Sequence, residues 1–113
     1  MKNFFYKIVT KREWSDFKKK NFFYGTRKDL RDKYIHLSKK NQIKKTLQKH
    51  YLKKKNLVLL KIKIPQNKRI IWEKSSNGEV FPHLYYYLDL SNVENTYKIF
   101  LKKNGSHFIL SKY

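Results

Sequence analysis

The stretch LVLLKIKI, Leu57 to Ile64, decides the fold. Its first half is apolar on both faces, the pattern of a strand covered on two sides. In its second half Leu60, Ile62 and Ile64 alternate with Lys61 and Lys63, so one face turns to a core and the other to water. Pro65 ends the run, because proline cannot donate to a strand ladder. The rest of the chain has to supply neighbours for this strand and cover for its faces.

Upstream, Ser38 is a plausible N-cap for a helix from Lys39 to Leu52. Ile43, Leu47 and Tyr51 repeat every four residues as its buried stripe, and Lys40, Lys44, Lys45 and Lys49 lie away from it. YIHL, Tyr34 to Leu37, reads as a short strand. NFFYGTRKDLRD, Asn21 to Asp32, reads as a surface loop with an aromatic anchor, a candidate lid in which Asp29 and Asp32 are turn formers. Phe4 to Val9 is a first strand. Thr10 and Glu13 have capping-box spacing, Val9 and Trp14 that of a hydrophobic staple, so a helix starts there with Trp14 and Phe17 on one face. Lys18 to Lys20 suit the negative end of its dipole.

Downstream, Ile70 to Glu73 is a strand, SSNG a turn, and Val80 to Leu88 a loop entering a strand. Ser91 to Asn95 looks like one helical turn. Thr96 to Lys103 and Ser106 to Leu110 should pair as a hairpin around Asn104-Gly105 in a type I′ turn. Strand, helix, strand, helix, then strands only, predicts one α+β domain over residues 1–113, with two main helices on a mostly antiparallel sheet.

Apolar residues at 40% and aromatics at 17% exclude a disordered tail. The absence of cysteine removes disulfides, zinc–thiolate sites and thiol nucleophiles. No segment is long enough to span a bilayer, and Lys7 interrupts MKNFFYKIVTKREW before a signal-peptide core could form, so a soluble cytoplasmic protein without membrane association is expected. The net charge of +20 has two explanations. It suits weak binding of RNA or DNA; but 24 of the 28 basic residues are lysine, scattered over every element, alongside abundant Asn, Ile, Phe and Tyr, as biased codon usage with solvated lysines would give.

There is no phosphate loop, GxGxxG, GxSxG or HExxH. His36, His50, His83 and His107 lack metal-ligand spacing, so no metal is expected. His50 should flank the buried helical stripe and His107 should face solvent. His36 in KYIHLS and His83 in EVFPHLYYYLDL each sit in an apolar frame, either as core histidines bonded to carbonyls or as two walls of one polar spot in a cleft. Ser38 as a nucleophile is explained equally by capping. Trp72-Glu73 offers a carboxylate beside a large aromatic, or an edge-strand residue meeting lysines.

FYKIVTKREW, DKYIHLSKKNQ, LVLLKIKI, IIWEK and EVFPHLY, in this order, resemble the small bacterial family of domains of unknown function numbered 952 over nearly the full length. The chain departs from it at Tyr86 and Tyr87, where the family has glycine and proline. That family is similar in fold to ADP-ribosyltransferases. The resemblance implies a split, mostly antiparallel sheet and a cleft for NAD or another small nucleotide. It puts Tyr6, Lys7, His36, Ser38, Trp72, His83 and Tyr85 at the ligand, with His36, His83 and Glu73 as candidates for chemistry. No glutamate obviously takes the place of the transferases' carboxylate, and His83 is the polar group there. Members of that fold class that remove a 2′-phosphate from RNA use NAD and work without the glutamate, so RNA 2′-phosphate transfer is a second implied activity.

Overall fold

The computed structural model describes residues 4–65 and 69–113, so the first three residues of the MKNFFYKIVTKREW opening lie outside it. Strand β1 (Phe4–Thr10) leads into helix α1 (Lys11–Lys20), strand β2 (Phe22–Phe23), helix α2 (Arg27–Asp32) and strand β3 (Ile35–His36). A 3-10 turn (Lys40–Gln42) then precedes helix α3 (Ile43–His50). Strands β4 (Leu57–Lys63), β5 (Ile70–Lys74), β6 (Val80–Leu84), β7 (Leu88–Asp89), β8 (Val93–Leu101) and β9 (His107–Phe108) follow.

β4 is central, in the order β1-β4-β8-β9, with antiparallel pairing throughout. Its alternation separates two cores. Leu60, Ile62 and Ile64 pack with Phe5, Val9 and Phe17 of α1, whereas Leu57 and Leu59 pack with Ile8 and with Ile43 and Leu47 of α3. The doubly apolar first half of LVLLKIKI is therefore what a strand between two helical layers requires. Capping boxes fix the starts of two helices: Thr10 with Glu13 before α1, and Thr26 with Asp29 before α2.

A second sheet, β3-β6-β5, carries both apolar-framed histidines. It meets the first through Ser38, whose N–H donates to the Tyr6 carbonyl and whose carbonyl accepts from the Tyr6 N–H, each at 2.9 Å. Phe22 and Phe23 pair with Asp89 and Leu88 in a third, two-stranded ribbon.

Several expectations are corrected. Asn21 to Asp32 is not a loop; it holds β2 and α2. Ser38 does not cap a helix: its backbone joins the two sheets, and helical structure begins at the 3-10 turn after Lys39. Val80 is already in strand, and Pro82 lies inside it. Pro82 still accepts a bond from the Leu37 N–H at 3.1 Å but cannot return one, which is why β3 ends at His36. The helical turn after β7 is a 3-10 turn, Leu90–Asn92. The last hairpin does form, but Asn104 lacks the positive φ of a type I′ turn. The Gly105 N–H instead closes on the Lys102 carbonyl at 3.0 Å, with Gly105 at φ +90°, giving a three-residue loop with a glycine bulge. His107 does not simply face solvent; its Nε2 lies 2.7 Å from the Lys54 carbonyl. Among the described residues no helix is long and apolar enough to cross a membrane.

Candidate functional site

His36 of β3 stands directly opposite His83 of β6. Directly opposed residues on neighbouring strands project to the same face, so pairing register alone brings the two rings together, with centroids 5.5 Å apart. Tyr34 lies two residues before His36 and so shares its side of the chain. Its ring stacks on His83 at 4.0 Å and leans on His36 at 4.5 Å.

Each histidine is held from behind by a carboxylate. Asp29, 2% exposed, accepts from the Thr26 N–H at 2.9 Å, the His36 N–H at 3.1 Å and the Lys7 ammonium at 2.8 Å. The His36 Nδ1 lies 2.6 Å from the same carboxylate, and Nε2 lies 3.1 Å from Asp32. Burial by itself would raise the Asp29 pKa, but the bonds from His36, Lys7 and Thr26 overcome it and hold the carboxyl below its ordinary value. Lys7, 5% exposed, also donates to the His36 carbonyl at 2.9 Å, so its ammonium is turned into the wall. Gly25, at φ +125°, passes so close beneath Asp29 that a Cβ there would sit 2.5 Å from the Asp29 Cβ.

The second clamp is Glu73. Its Oε1 lies 2.9 Å from the His83 Nδ1 and accepts the Tyr85 hydroxyl at 2.6 Å. These bonds, that from Tyr85 first, lower the Glu73 pKa, and in return the Tyr85 phenol is pushed up to about 12. The clamp leaves His83 Nε2 available to a ligand.

Tyr34, both histidines, Lys7, Asp29 and Asp32 line a cleft of about 310 Å³. Of the residues that the resemblance puts at a ligand, Tyr6, Lys7, His36, Ser38 and His83 line this cleft. Glu73 and Tyr85 are not among its lining residues; they back His83. Trp72 is not among them either: it is half exposed, packs on Phe5 at 6.0 Å, and has the Lys39 ammonium over its ring. The Ser38 hydroxyl faces Thr46 at 3.1 Å, an arrangement without a base to activate it. Sequence reasoning missed Asp29, Asp32 and Tyr34 in the walls, Lys28, Lys45, Lys49 and Lys74 among the lining cations, and Glu79, which accepts from Gln42 at 3.3 Å. His50 lines the cleft too, rather than merely flanking the helical stripe. One signal for Asp29 was present: Thr26 and Asp29 repeat the spacing of Thr10 and Glu13. Among the described residues no cluster of three or more His, Asp or Glu side chains is arranged to hold a metal ion.

The sequence pattern of the family described as "Protein of unknown function (DUF952)" matches residues 8–96, which include every cleft residue but Tyr6 and Lys7. The chain belongs to the DUF952 family. Its fold is similar to that of protein CC0527 from Caulobacter crescentus. The crystal structure of that protein has a TM-score of 0.87 at 36% identity, covering 94% of each chain. The solution structure has a TM-score of 0.80 at the same identity, covering 91% of this chain and 90% of that one. A search of curated proteins finds no match.

In this DUF952 domain the cleft offers three kinds of contact. The Tyr34 ring offers an aromatic face, His83 Nε2 a polar contact, and the lysines positive charge. A ligand with a flat ring, hydroxyls and a phosphate would use all three.

Proposed function

We propose that the cleft binds a nucleotide of the NAD kind, in a domain of ADP-ribosyltransferase-like architecture. The observation that carries this reading is the convergence of His36 and His83, each clamped by a carboxylate, under Tyr34 in a cleft with five lysines among its lining residues. A ring nitrogen held in place beside an aromatic surface suits ribose and base, and the lysines suit phosphate. The volume falls at the small end of ligand sites, about 300–1,000 Å³, and matches half of a dinucleotide better than all of it.

If bond cleavage follows binding, positive charge develops on the ribose and a carboxylate beside it is stabilising. Of the three carboxylates in the cleft lining, Asp29 is buried against Lys7 and His36, which leaves the more exposed Asp32 and Glu79 for this role. His83 is the group to position the ribose or phosphate, and Glu73 fixes its ring. A cytoplasmic setting, where NAD is plentiful, goes with this reading.

The test is a titration of the protein with NAD, ADP-ribose, nicotinamide and an RNA end bearing a 2′-phosphate, followed by NMR. Binding should move the signals of His36, His83 and Tyr34 first. Shifts confined to surface lysines, or none at millimolar ligand, would refute the site. A response to the RNA end alone would favour phosphate transfer.

A further inference from the structure

A second concavity opens on the other side of Tyr34. It measures about 340 Å³ and is lined by Tyr24, Leu30, Lys33, Tyr34, Tyr86 and Tyr87, among others. Tyr24 is 65% exposed, Leu30 61% and Tyr86 44%, which is unusual exposure for large side chains gathered in one place. The tyrosines form a continuous series. Tyr86 stacks on Tyr87 at 4.3 Å, Tyr24 leans on Tyr87 at 5.6 Å, and Phe22 meets Tyr87 edge-on at 5.4 Å.

The charge around this platform is mostly positive, with Asp89 beside Tyr87 as an exception. Helix α2, which supplies Leu30, carries Arg27 and Arg31, two of the four arginines in the chain, both exposed, Arg31 with its Nε 3.5 Å from Asp32, and Lys33 follows directly. Its two carboxylates are engaged elsewhere: Asp29, although it lines this concavity too, is buried against Lys7 and His36, and Asp32 contacts the His36 ring. Arginine is the side chain best suited to bind phosphate with two donors at once.

We infer that this groove binds single-stranded nucleic acid, with bases stacked on Tyr24 and Tyr86 and the phosphate backbone drawn by Arg27, Arg31 and Lys33. Aromatic faces accept any base, and neighbouring cations neutralise the backbone without reading sequence. Charge decides against a second copy of the chain as the occupant, because two surfaces from a molecule of net charge +20 repel one another. A duplex is disfavoured because its bases are already stacked on each other. The inference is independent of the nucleotide cleft, although Tyr34 and Asp29 line both concavities.

The experiment is fluorescence anisotropy with labelled single-stranded RNA, single-stranded DNA and a duplex of the same sequence, at several salt concentrations. The unmodified protein should prefer either single strand to the duplex. Tyr24→Ala with Tyr86→Ala should weaken single-strand binding about tenfold or more, since stacking on one aromatic is worth roughly that factor. Tyr24→Phe with Tyr86→Phe should bind as the unmodified protein does. Arg27→Gln with Arg31→Gln should flatten the salt dependence. Circular dichroism confirms that each variant is folded, and the duplex comparison and the Arg pair keep the test meaningful if the Ala pair is not. Equal affinity for duplex and single strand, or undiminished binding by a folded Ala pair, would overturn the inference. So would sedimentation showing a dimer that the Ala pair abolishes. NAD titration of the same variants separates this groove from the cleft, because loss of either ligand alone assigns it to its own site.

Discussion

Replacing Asp29 by alanine tests the central argument about the site. The carboxylate is 2% exposed and accepts from Thr26, from the His36 backbone and from Lys7, with the His36 ring 2.6 Å away. Without it the Lys7 ammonium, 5% exposed, keeps the His36 carbonyl as its remaining partner. Removing one member of a buried ion pair costs about 3–5 kcal/mol, because the other charge stays buried. The lost cap is not added, since it involves the same carboxylate. A domain near this size loses roughly 4 °C per kcal/mol, so the thermal midpoint should fall by about 12–20 °C. Chemical denaturation followed by circular dichroism measures the free energy directly. Adding Lys7→Met to Asp29→Ala removes the stranded charge and should recover a substantial part of the loss. A cost below about 1 kcal/mol, the scale of an exposed pair, would refute the reasoning, as would a double variant no better than the single one.

The same carboxylate sets an acid limit. Its folded pKa is lower than its unfolded one, so its stabilisation is complete above the ordinary carboxylate value of about 4 and is lost as pH falls through the lower folded value; an Asp29→Asn protein should show a flatter acid limb in stability against pH. Gly25→Ala should cost roughly 1–3 kcal/mol in urea denaturation, because the residue sits at φ +125° and the added methyl would run into the Asp29 Cβ; an unchanged midpoint would show that the loop shifts freely. Glu73→Gln should bring the Tyr85 phenol down from about 12 toward its ordinary value, read by pH titration of labelled tyrosine. His83→Asn should weaken NAD binding by about 1–3 kcal/mol, the scale of one lost polar partner; calorimetry showing unchanged affinity would remove His83 from the ligand site.

The sequence by itself determined the parts whose cause is local or periodic. Alternation in Leu57 to Ile64 fixed a central strand and its two faces, and Thr10 with Glu13 fixed where α1 starts. The apolar frames of His36 and His83 marked both as candidates. What the sequence could not supply was pairing across the chain. The His36 and His83 rings meet because β3 and β6 adopt one register, which places residues 47 positions apart opposite each other. Asp29 reads as a turn former because nothing near it in sequence announces Lys7, 22 residues earlier, as its partner. Tyr34 is an unremarkable strand residue until β6 brings His83 beneath its ring. Trp72 and Glu73 are adjacent and invite one reading, yet strand alternation sends Glu73 to His83 and Trp72 to Phe5. The tertiary structure decided these roles because burial and charge pairing depend on which surfaces meet, and that is a property of the whole folded sheet.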